Sequence, residues 1–144
     1  MSLLLDTVTI SEFRKSVDAH PSVIAWQKSV MGQKHWLSVI TLNEIRYGYR
    51  KVEKRDPTFS KSLQRWYQGI VANAAEVSFL PVDHPIAEQA ADFRALLGMS
   101  YNDSLIAATA QVHGLSLATR NVSDFAQTGI SIVNPWDDEG KAEA

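Results

Sequence analysis

The two stretches of sequence that decide the fold are Ser100-Tyr-Asn-Asp-Ser-Leu-Ile-Ala-Ala-Thr-Ala110 and Gly114-Leu-Ser-Leu-Ala-Thr-Arg-Asn-Val-Ser-Asp-Phe125. The first has apolar residues at three-to-four spacing, which predicts a helix. We expect Asn102 to cap this helix and Gly114 to end it. Residues 115–119 then form an uncharged run that predicts a short buried strand.

Polar residues fall at both ends of this predicted helix–strand unit. Asp103 lies in the first turn of the helix, and Arg120, Asn121 and Asp124 follow the strand directly. Parallel α/β sheets bind their ligands at the carboxyl ends of strands and at the helices that begin there. The unit therefore predicts a functional site built from these side chains.

Strands alternate with helices along the whole chain. Short apolar runs predict strands at residues 3–5, 36–40, 77–82, 115–119 and 130–133. Amphipathic runs predict helices at residues 11–15, 22–30, 42–51, 57–76 and 85–97, besides the one that begins at Asn102. This alternation predicts an α/β fold with a mainly parallel sheet of four to five strands and helices on both faces.

Length and composition favour one domain. The chain has 144 residues, of which 45% are hydrophobic, and this is enough to build one core. Without cysteine it has no disulfide, no thiolate zinc site and no cysteine nucleophile. We expect residues 1–136 to form the domain and residues 137–144 to form a disordered acidic tail. The absence of a basic leader and of a long apolar run predicts a cytoplasmic protein without membrane contact.

Basic residues are concentrated in one segment. The net charge of −2 argues against a general nucleic-acid coat protein, yet seven of the 14 basic residues lie between Arg46 and Arg65. Such a run is either a solvated helical face or a track for a nucleic-acid backbone. In the second case Arg50, Lys51 and Lys54 are the candidate contacts with the substrate.

Four acids and one amide share the same kind of position in the predicted sheet. Asp6 follows the first strand, Glu44 the second, Asp103 opens a helix, and Asn121 and Asp124 follow the fourth strand. Because parallel strands bring their carboxyl ends to one edge, these groups should converge. Several carboxylates in one place repel one another unless a cation offsets their charge. Oxygen ligands of this kind suit Mg²⁺ or Mn²⁺.

Two of the predicted site features have a structural explanation as well. Thr41 and Glu44 have the spacing of a capping box, so Glu44 could close the start of a helix. Thr7 and Ser11 could hold the acids by hydrogen bonds or cap the following turn. Both interpretations stay open at the level of sequence.

Four motifs in order resemble those of PIN-domain ribonucleases. They are Leu4-Leu5-Asp6-Thr7 with Ile10-Ser11-Glu12, Ser38-Val-Ile-Thr-Leu-Asn-Glu44-Ile-Arg-Tyr-Gly48, Asp103-Ser-Leu-Ile-Ala-Ala-Thr-Ala110 and Ala118-Thr-Arg-Asn-Val-Ser-Asp-Phe125. The sequence is most similar to VapC-type toxins of bacterial toxin–antitoxin pairs, and Asn134-Pro135-Trp136 resembles the FitB branch. The resemblance covers residues 3 to about 136 and implies a PIN-like three-layer sandwich.

The resemblance implies roles for the site residues. Asp6, Glu44 and Asp103 correspond to the metal-binding acids, Asn121 corresponds to the fourth catalytic position, and Asp124 is an additional acid. Arg120 either contacts the scissile phosphate or pairs with a nearby carboxylate. The implied cofactor is Mg²⁺ (or Mn²⁺).

The resemblance also implies an activity and partners. PIN-domain toxins of this kind are endoribonucleases that inhibit translation by hydrolysing RNA, often tRNA or rRNA. They form homodimers, and a small VapB/FitA-like antitoxin blocks the site and tethers the pair to operator DNA. The sequence departs from the family in one place, because Val8 stands where the first motif usually has Asn. The alternative is a catalytically inactive PIN-like subunit that acts only through its antitoxin and operator DNA.

Overall fold

The computed structural model describes residues 2–73 and 77–137. The strands in these ranges are β1 Leu3–Leu5, β2 His35–Ser38, β3 Val77–Leu80, β4 Ser116–Ala118 and β5 Ile132–Val133. The helices are α1 Thr7–Phe13, α2 Pro21–Ser29, α3 Val39–Val52, α4 Pro57–Ala72, α5 His84–Leu97, α6 Tyr101–His113 and α7 Val122–Phe125. The end of the helix predicted at 57–76 and the predicted tail beyond Asp137 lie outside the described residues.

The five strands form one parallel sheet in the order β3-β2-β1-β4-β5. β1 lies at the centre, and Leu4 is in register with Trp36 of β2 on one side and with Leu117 of β4 on the other. The chain builds outward from β1 in one direction as far as β3 and then returns to the other side of β1. The order therefore reverses between β1 and β4, where open α/β sheets form a crevice. The predicted α/β fold with a parallel sheet is confirmed.

Helices cover both faces of the sheet. Successive side chains of a strand point to opposite faces, so Leu4 packs on one side of β1 and Leu3 and Leu5 on the other. The core around Leu4 comes from α5, α6 and β4, and the opposite core comes from α1, α2, α3 and α4. This burial on both faces explains why β1 is a continuous apolar run. The predicted three-layer sandwich is thus confirmed.

The start of α6 differs from the prediction. Ser100 caps this helix, because its backbone is extended and its Oγ accepts a hydrogen bond from the Asp103 amide at 3.3 Å. Asn102 already lies inside the first turn, so its assignment as the cap was wrong. Serine and asparagine are equally good caps, and periodicity alone does not separate two candidates that lie two residues apart. Gly114 ends the helix in the left-handed conformation, as predicted.

Two other helices begin earlier than their patterns indicated. α1 starts directly after β1, where Asp6 is its cap, rather than at residue 11. α3 starts at Val39 with Ser38 as the cap, since the Oγ of Ser38 accepts a hydrogen bond from the Ile40 amide at 3.0 Å. Thr41 is therefore not a cap, and the predicted capping box with Glu44 does not form. None of the described helices has the length and apolar character needed to cross a membrane.

Truncation of a core leucine tests this packing. Leu117 on β4 is fully buried, whereas Leu96 on α5 is 80% exposed. We expect Leu117→Ala to lower the free energy of unfolding by about 2–5 kcal/mol, because it removes apolar contacts and leaves a cavity. Leu96→Ala should change it by less than about 0.5 kcal/mol. Urea unfolding followed by circular dichroism measures both, and equal losses in the two variants would contradict the described core.

Candidate active site

Asp6 lies at the end of the central strand and is held by two hydrogen bonds. Its Oδ1 accepts from the Thr9 amide at 2.9 Å, and its Oδ2 accepts from the Thr119 hydroxyl at 2.6 Å. Only 5% of Asp6 is exposed. Burial raises the pKa of its carboxyl above the ordinary value, although the hydrogen bonds from Thr119 and Thr9 oppose this change. Each oxygen keeps further acceptor capacity for another ligand.

Thr119 connects the two sides of the crevice between β1 and β4. Its hydroxyl donates to Asp6 and accepts a hydrogen bond from the Asn121 amide at 3.0 Å. The side chain is fully buried. Thr119 belongs to the fourth sequence motif, but its spacing alone does not predict that it is a site residue. The signal that could have identified it is a hydroxyl residue at a strand end, directly before a predicted polar loop.

Asp103 is the acid through which the others are coupled. It lies in the first turn of α6, where burial raises the pKa of its carboxyl and the negative charges of Asp124 and Glu44 raise it further. The charge of Asp103 in turn contributes to the raised pKa of Asp6. The fold therefore brings Asp6, Glu44 and Asp124 each close enough to Asp103 for the charges to interact.

Glu44 is held by a hydrogen bond from a threonine hydroxyl and takes no part in capping α3. Its Oε1 accepts a hydrogen bond from the Thr7 hydroxyl at 2.6 Å, and the Thr7 and Thr41 hydroxyl oxygens are 3.0 Å apart. A hydroxyl has one proton, so when Thr7 donates to Glu44 it is Thr41 that donates to Thr7. Thr7 thus holds an acid of the site, which was one of its two predicted roles.

The loop after β4 forms one wall of an open cleft. The cleft has a volume of about 420 Å³, and its lining includes Asp103, Asp124, Ser100 and Ser123. Asn121 and Asp124 are both exposed, and the Asp124 amide donates to the Asn121 carbonyl oxygen at 3.1 Å. Asp103 is therefore accessible to solvent through this cleft.

The predicted basic contacts lie in two separate places. Arg120 is at the crevice, where its guanidinium carbon is 5.5 Å from the centre of the Trp136 ring. Arg50, on α3, forms an ion pair with Glu53 at 3.1 Å. Lys51 is in the last turn of α3, and Lys54 is exposed just after this helix. The three residues of the basic segment therefore do not line the acidic cleft itself.

Val8 occupies the position where the first motif of the family usually has Asn. It is the second residue of α1, close to Asp6 in sequence, and its side chain is exposed. The hydrogen bonds to Asp6 come from Thr9 and Thr119. The Asp6 carboxylate is therefore held without the side-chain amide that an asparagine at position 8 would supply.

The acids fit a divalent cation that keeps much of its water. Within residues 2–73 and 77–137, no three His, Asp or Glu side chains are close enough to hold one ion together. Mg²⁺ does not need such a group, because proteins usually bind it through one or two carboxylates and several waters. Besides burial, the charges of Asp124 and Glu44 raise the pKa of Asp103, and the charge of Asp103 raises the pKa of Asp6; a nearby cation would offset this repulsion.

The fold and this site together define an α/β domain with clustered carboxylates at the crevice of a parallel sheet. The model of the PIN domain family matches residues 3–130. This match covers most of the sequence, so the chain belongs to the PIN domain family.

Known VapC and FitB proteins are similar to this protein over nearly its whole chain. The VapC ribonuclease Y4jK of Sinorhizobium fredii is 35% identical, with 94% of this chain and 98% of the relative covered. The toxin FitB of Neisseria gonorrhoeae is 31% identical, with 94% and 99% covered. A solved FitAB complex bound to a DNA fragment has a TM-score of 0.76 and 30% identity, with 94% of this chain and 96% of that chain covered. The resemblance seen in the sequence is confirmed.

Removal of the Thr119 hydroxyl tests how Asp6 is held. Thr119→Val keeps the shape of the side chain but leaves Oδ2 of a buried carboxylate without its donor. We expect the free energy of unfolding at neutral pH to fall by about 1–3 kcal/mol. Thr119→Ser keeps the hydroxyl and should lose much less. Urea unfolding of both variants checks this, and equal stability of Thr119→Val and the wild type would argue against the hydrogen bond.

Neutralising Asp103 should stabilise the metal-free fold. The pKa of Asp103 is raised in the folded state, so its ionisation opposes folding as the pH rises above its unfolded-state pKa, and does so fully above the raised pKa. In EDTA at neutral pH we expect Asp103→Asn to raise Tm, because it removes an ionisation that opposes folding. The gain should shrink as the pH falls through the raised pKa and the wild-type carboxyl takes up its proton.

Calorimetry at neutral and acidic pH measures this difference. Asp92→Asn is the matched control, because Asp92 is an exposed carboxylate on α5, and it should leave Tm unchanged. If Asp103→Asn were less stable than the wild type at neutral pH, the described repulsion among the acids would be wrong.

Proposed function

We propose that this protein is the toxin of a toxin–antitoxin pair and a Mg²⁺- or Mn²⁺-dependent endoribonuclease. It hydrolyses phosphodiester bonds of RNA and inhibits translation, with tRNA or rRNA as its substrate. The observation that carries the proposal is the electrostatic coupling of Asp103 to Asp6, Glu44 and Asp124 at the crevice of a PIN domain. Two relatives of the chain bear the names of a ribonuclease and a toxin.

Asp6 and Asp103 would hold the ion directly, and Glu44 would hold it through one of the waters that the ion keeps. When bound, the ion would activate water and offset the negative charge that develops on the phosphodiester. Asp6 and Glu44 receive hydrogen bonds from Thr119 and Thr7, which fix the direction of their carboxylates before substrate binds. Asn121 and Asp124, on the exposed loop beside Asp103, would orient the attacking water.

Arg120 would contact the scissile phosphate. Its guanidinium lies against the Trp136 ring, which limits its motion without neutralising its charge. It directly follows Thr119, the residue that holds Asp6. Arginine is suited to this role because its planar donors match the geometry of phosphate oxygens.

The proposed partners follow from the complexes that similar proteins form. Solved structures similar to this chain include a FitAB complex on a DNA fragment and a FitAcB crystal structure from Neisseria gonorrhoeae. We propose a homodimer that is neutralised by a small VapB/FitA-like antitoxin and reaches operator DNA through that antitoxin.

An RNA cleavage assay tests the proposed activity. The purified protein, free of antitoxin, should cut RNA in Mg²⁺ or Mn²⁺, and EDTA should abolish cutting. Asp103→Asn should lower the rate by at least about 100-fold, a loss of about 2.7 kcal/mol in transition-state stabilisation. Asp92→Asn removes a carboxylate outside the coupled group and should cut at the wild-type rate.

Two outcomes would contradict the proposal. One is equal cleavage by Asp103→Asn and the wild type, since the activity would then come from elsewhere or from a contaminant. The other is the absence of cleavage by the folded, antitoxin-free protein in either metal. The second result would favour the catalytically inactive binding subunit.

A further inference from the structure

Thr41 is a fully buried residue whose hydroxyl is connected to the site through Thr7. It lies three residues before Glu44 on α3, so both side chains share one side of this helix. The Thr41 and Thr7 hydroxyl oxygens are 3.0 Å apart, and Thr7 donates to Oε1 of Glu44 at 2.6 Å. Thr41 is buried, whereas Thr7 and Glu44 are both partly exposed. The three side chains therefore connect the core with the acidic site.

The contact of Thr41 differs from the common use of a threonine inside a helix. A helical threonine often donates to a carbonyl oxygen of the preceding turn. Thr109 does so on α6, where its hydroxyl donates to the Leu105 carbonyl oxygen at 2.8 Å. Within residues 2–73 and 77–137, the hydrogen bond found for the Thr41 hydroxyl is with another helix, α1. Thr41 thus joins α3 to the first residue of α1, which directly follows Asp6.

The number of protons fixes the direction of the two hydrogen bonds when Glu44 is ionised. A carboxylate only accepts hydrogen bonds, so Thr7 donates its single proton to Glu44 and accepts from Thr41. A hydroxyl that accepts one hydrogen bond becomes a stronger donor in the next, by about 10–30%. The Thr41 hydroxyl therefore strengthens the hydrogen bond that holds Glu44, and it also restricts the rotation of the Thr7 side chain.

We propose that Thr41 is a positioning residue of the site, which acts on Glu44 through Thr7. The Thr41 hydroxyl holds Thr7 against α3, and Thr7 holds Oε1 of the Glu44 carboxylate. The second carboxyl oxygen of Glu44 keeps its acceptor capacity for a water of the ion. This inference rests on the proposed function, in which Glu44 holds the ion through such a water.

Burial separates the role of Thr41 from a contact with substrate. Its side chain has no surface exposed to solvent, so it does not touch a bound RNA. Loss of its hydroxyl should change the orientation of Glu44 and leave the RNA-binding surface unchanged. In steady-state cleavage we therefore expect a lower kcat with an unchanged KM for RNA.

Mn²⁺ binding without RNA tests the connection between Thr41 and the ion. Thr41→Val keeps the shape of the side chain and removes its hydroxyl. We expect it to weaken Mn²⁺ binding about three- to fivefold, measured from the signal of free Mn²⁺ in electron paramagnetic resonance. Thr7→Val removes the direct donor to Glu44 and should weaken binding about tenfold. Thr41→Ser keeps the hydroxyl and should bind Mn²⁺ like the wild type.

The double variant Thr7→Val/Thr41→Val shows whether Thr41 acts through Thr7. Once Thr7 has lost its hydroxyl, Thr41 no longer has a route to Glu44. The double variant should therefore bind Mn²⁺ as Thr7→Val does, with no further loss. A further loss equal to that of Thr41→Val alone would mean that Thr41 acts by another route, which would overturn the inference.

Ser60→Ala is the matched control for a loss of stability. Ser60 is also buried, and its hydroxyl joins α4 to α3 by donating to the Tyr49 carbonyl oxygen at 2.7 Å. Its removal should lower Tm by about 3–6 °C, because a buried hydrogen bond is lost. It should leave Mn²⁺ affinity and kcat unchanged, whereas Thr41→Val should lower both.

Two results of these measurements would overturn the inference. One is Mn²⁺ affinity and kcat in Thr41→Val equal to those of the wild type. The other is an equal loss in Ser60→Ala and Thr41→Val, since both changes would then reflect lower stability of the fold.

The position of Glu44 separates this inference from the proposed function. A crystal structure of Thr41→Val should show the Thr7 side chain rotated and the Glu44 carboxylate displaced, and this result does not depend on any activity. Displacement of Glu44 together with no cleavage by the wild type would remove the nuclease activity and keep the role of Thr41. An unmoved Glu44 would remove the role of Thr41 even if the wild type cleaves RNA.

Discussion

Asp6 lies at the end of the central strand with both carboxyl oxygens hydrogen-bonded and almost no exposure to solvent. A buried carboxylate is costly unless donors surround it. Here the donors come from Thr9 on α1 and Thr119 after β4, so the same bonds that satisfy Asp6 also join β1 to β4 across the crevice. The hydroxyl of Thr9 adds a further link to β4 through the Ala118 carbonyl oxygen. The hydrogen bonds that hold Asp6 in position therefore also hold β1 against β4.

The site contains several neighbouring carboxylates, which repel one another in the folded protein. Asp103 lies in the first turn of α6, where the positive end of the helix dipole favours an anion. Burial nevertheless raises the pKa of its carboxyl, and the charges of Asp124 and Glu44 raise it further. Glu44 is held by the Thr7 hydroxyl, which in turn contacts Thr41. The metal-free protein thus keeps its acids oriented at some cost in stability. A bound cation would reduce this cost, which links the stability of the fold to its proposed chemistry.

The sequence was sufficient to predict the helix and sheet layers and the edge of the sheet at which the acids lie. Both depend on the order of apolar runs and the polar residues that follow them. Continuous apolar runs such as Leu3–Leu5 belong to strands buried on both faces, and parallel strands bring the residues that follow them to one edge. Helix starts were less predictable. Asn102 and Thr41 were chosen as caps, whereas Ser100 and Ser38 cap the helices. Several residues with good capping side chains are adjacent there, and tertiary contacts decide among them.

The role of Thr119 and the contacts of the basic segment could not be predicted from spacing. A threonine at a strand end has many uses, and only the coordinates show its hydroxyl 2.6 Å from Asp6. In the same way, the basic segment was a track or a solvated face until the structure showed Arg50 paired with Glu53 and Lys51 beside Tyr47. These features depend on which side chains meet in space, and that information is not contained in one sequence pattern.

We propose that Asp6 and Asp103, from distant parts of the chain, together provide a site for a divalent cation. Anomalous diffraction from crystals soaked in Mn²⁺ tests it most directly. We expect an anomalous peak in the crevice between β1 and β4, with a carboxyl oxygen of Asp6 or Asp103 at about 2.0–2.2 Å. A crevice without a peak, at a Mn²⁺ concentration that supports RNA cleavage, would contradict it.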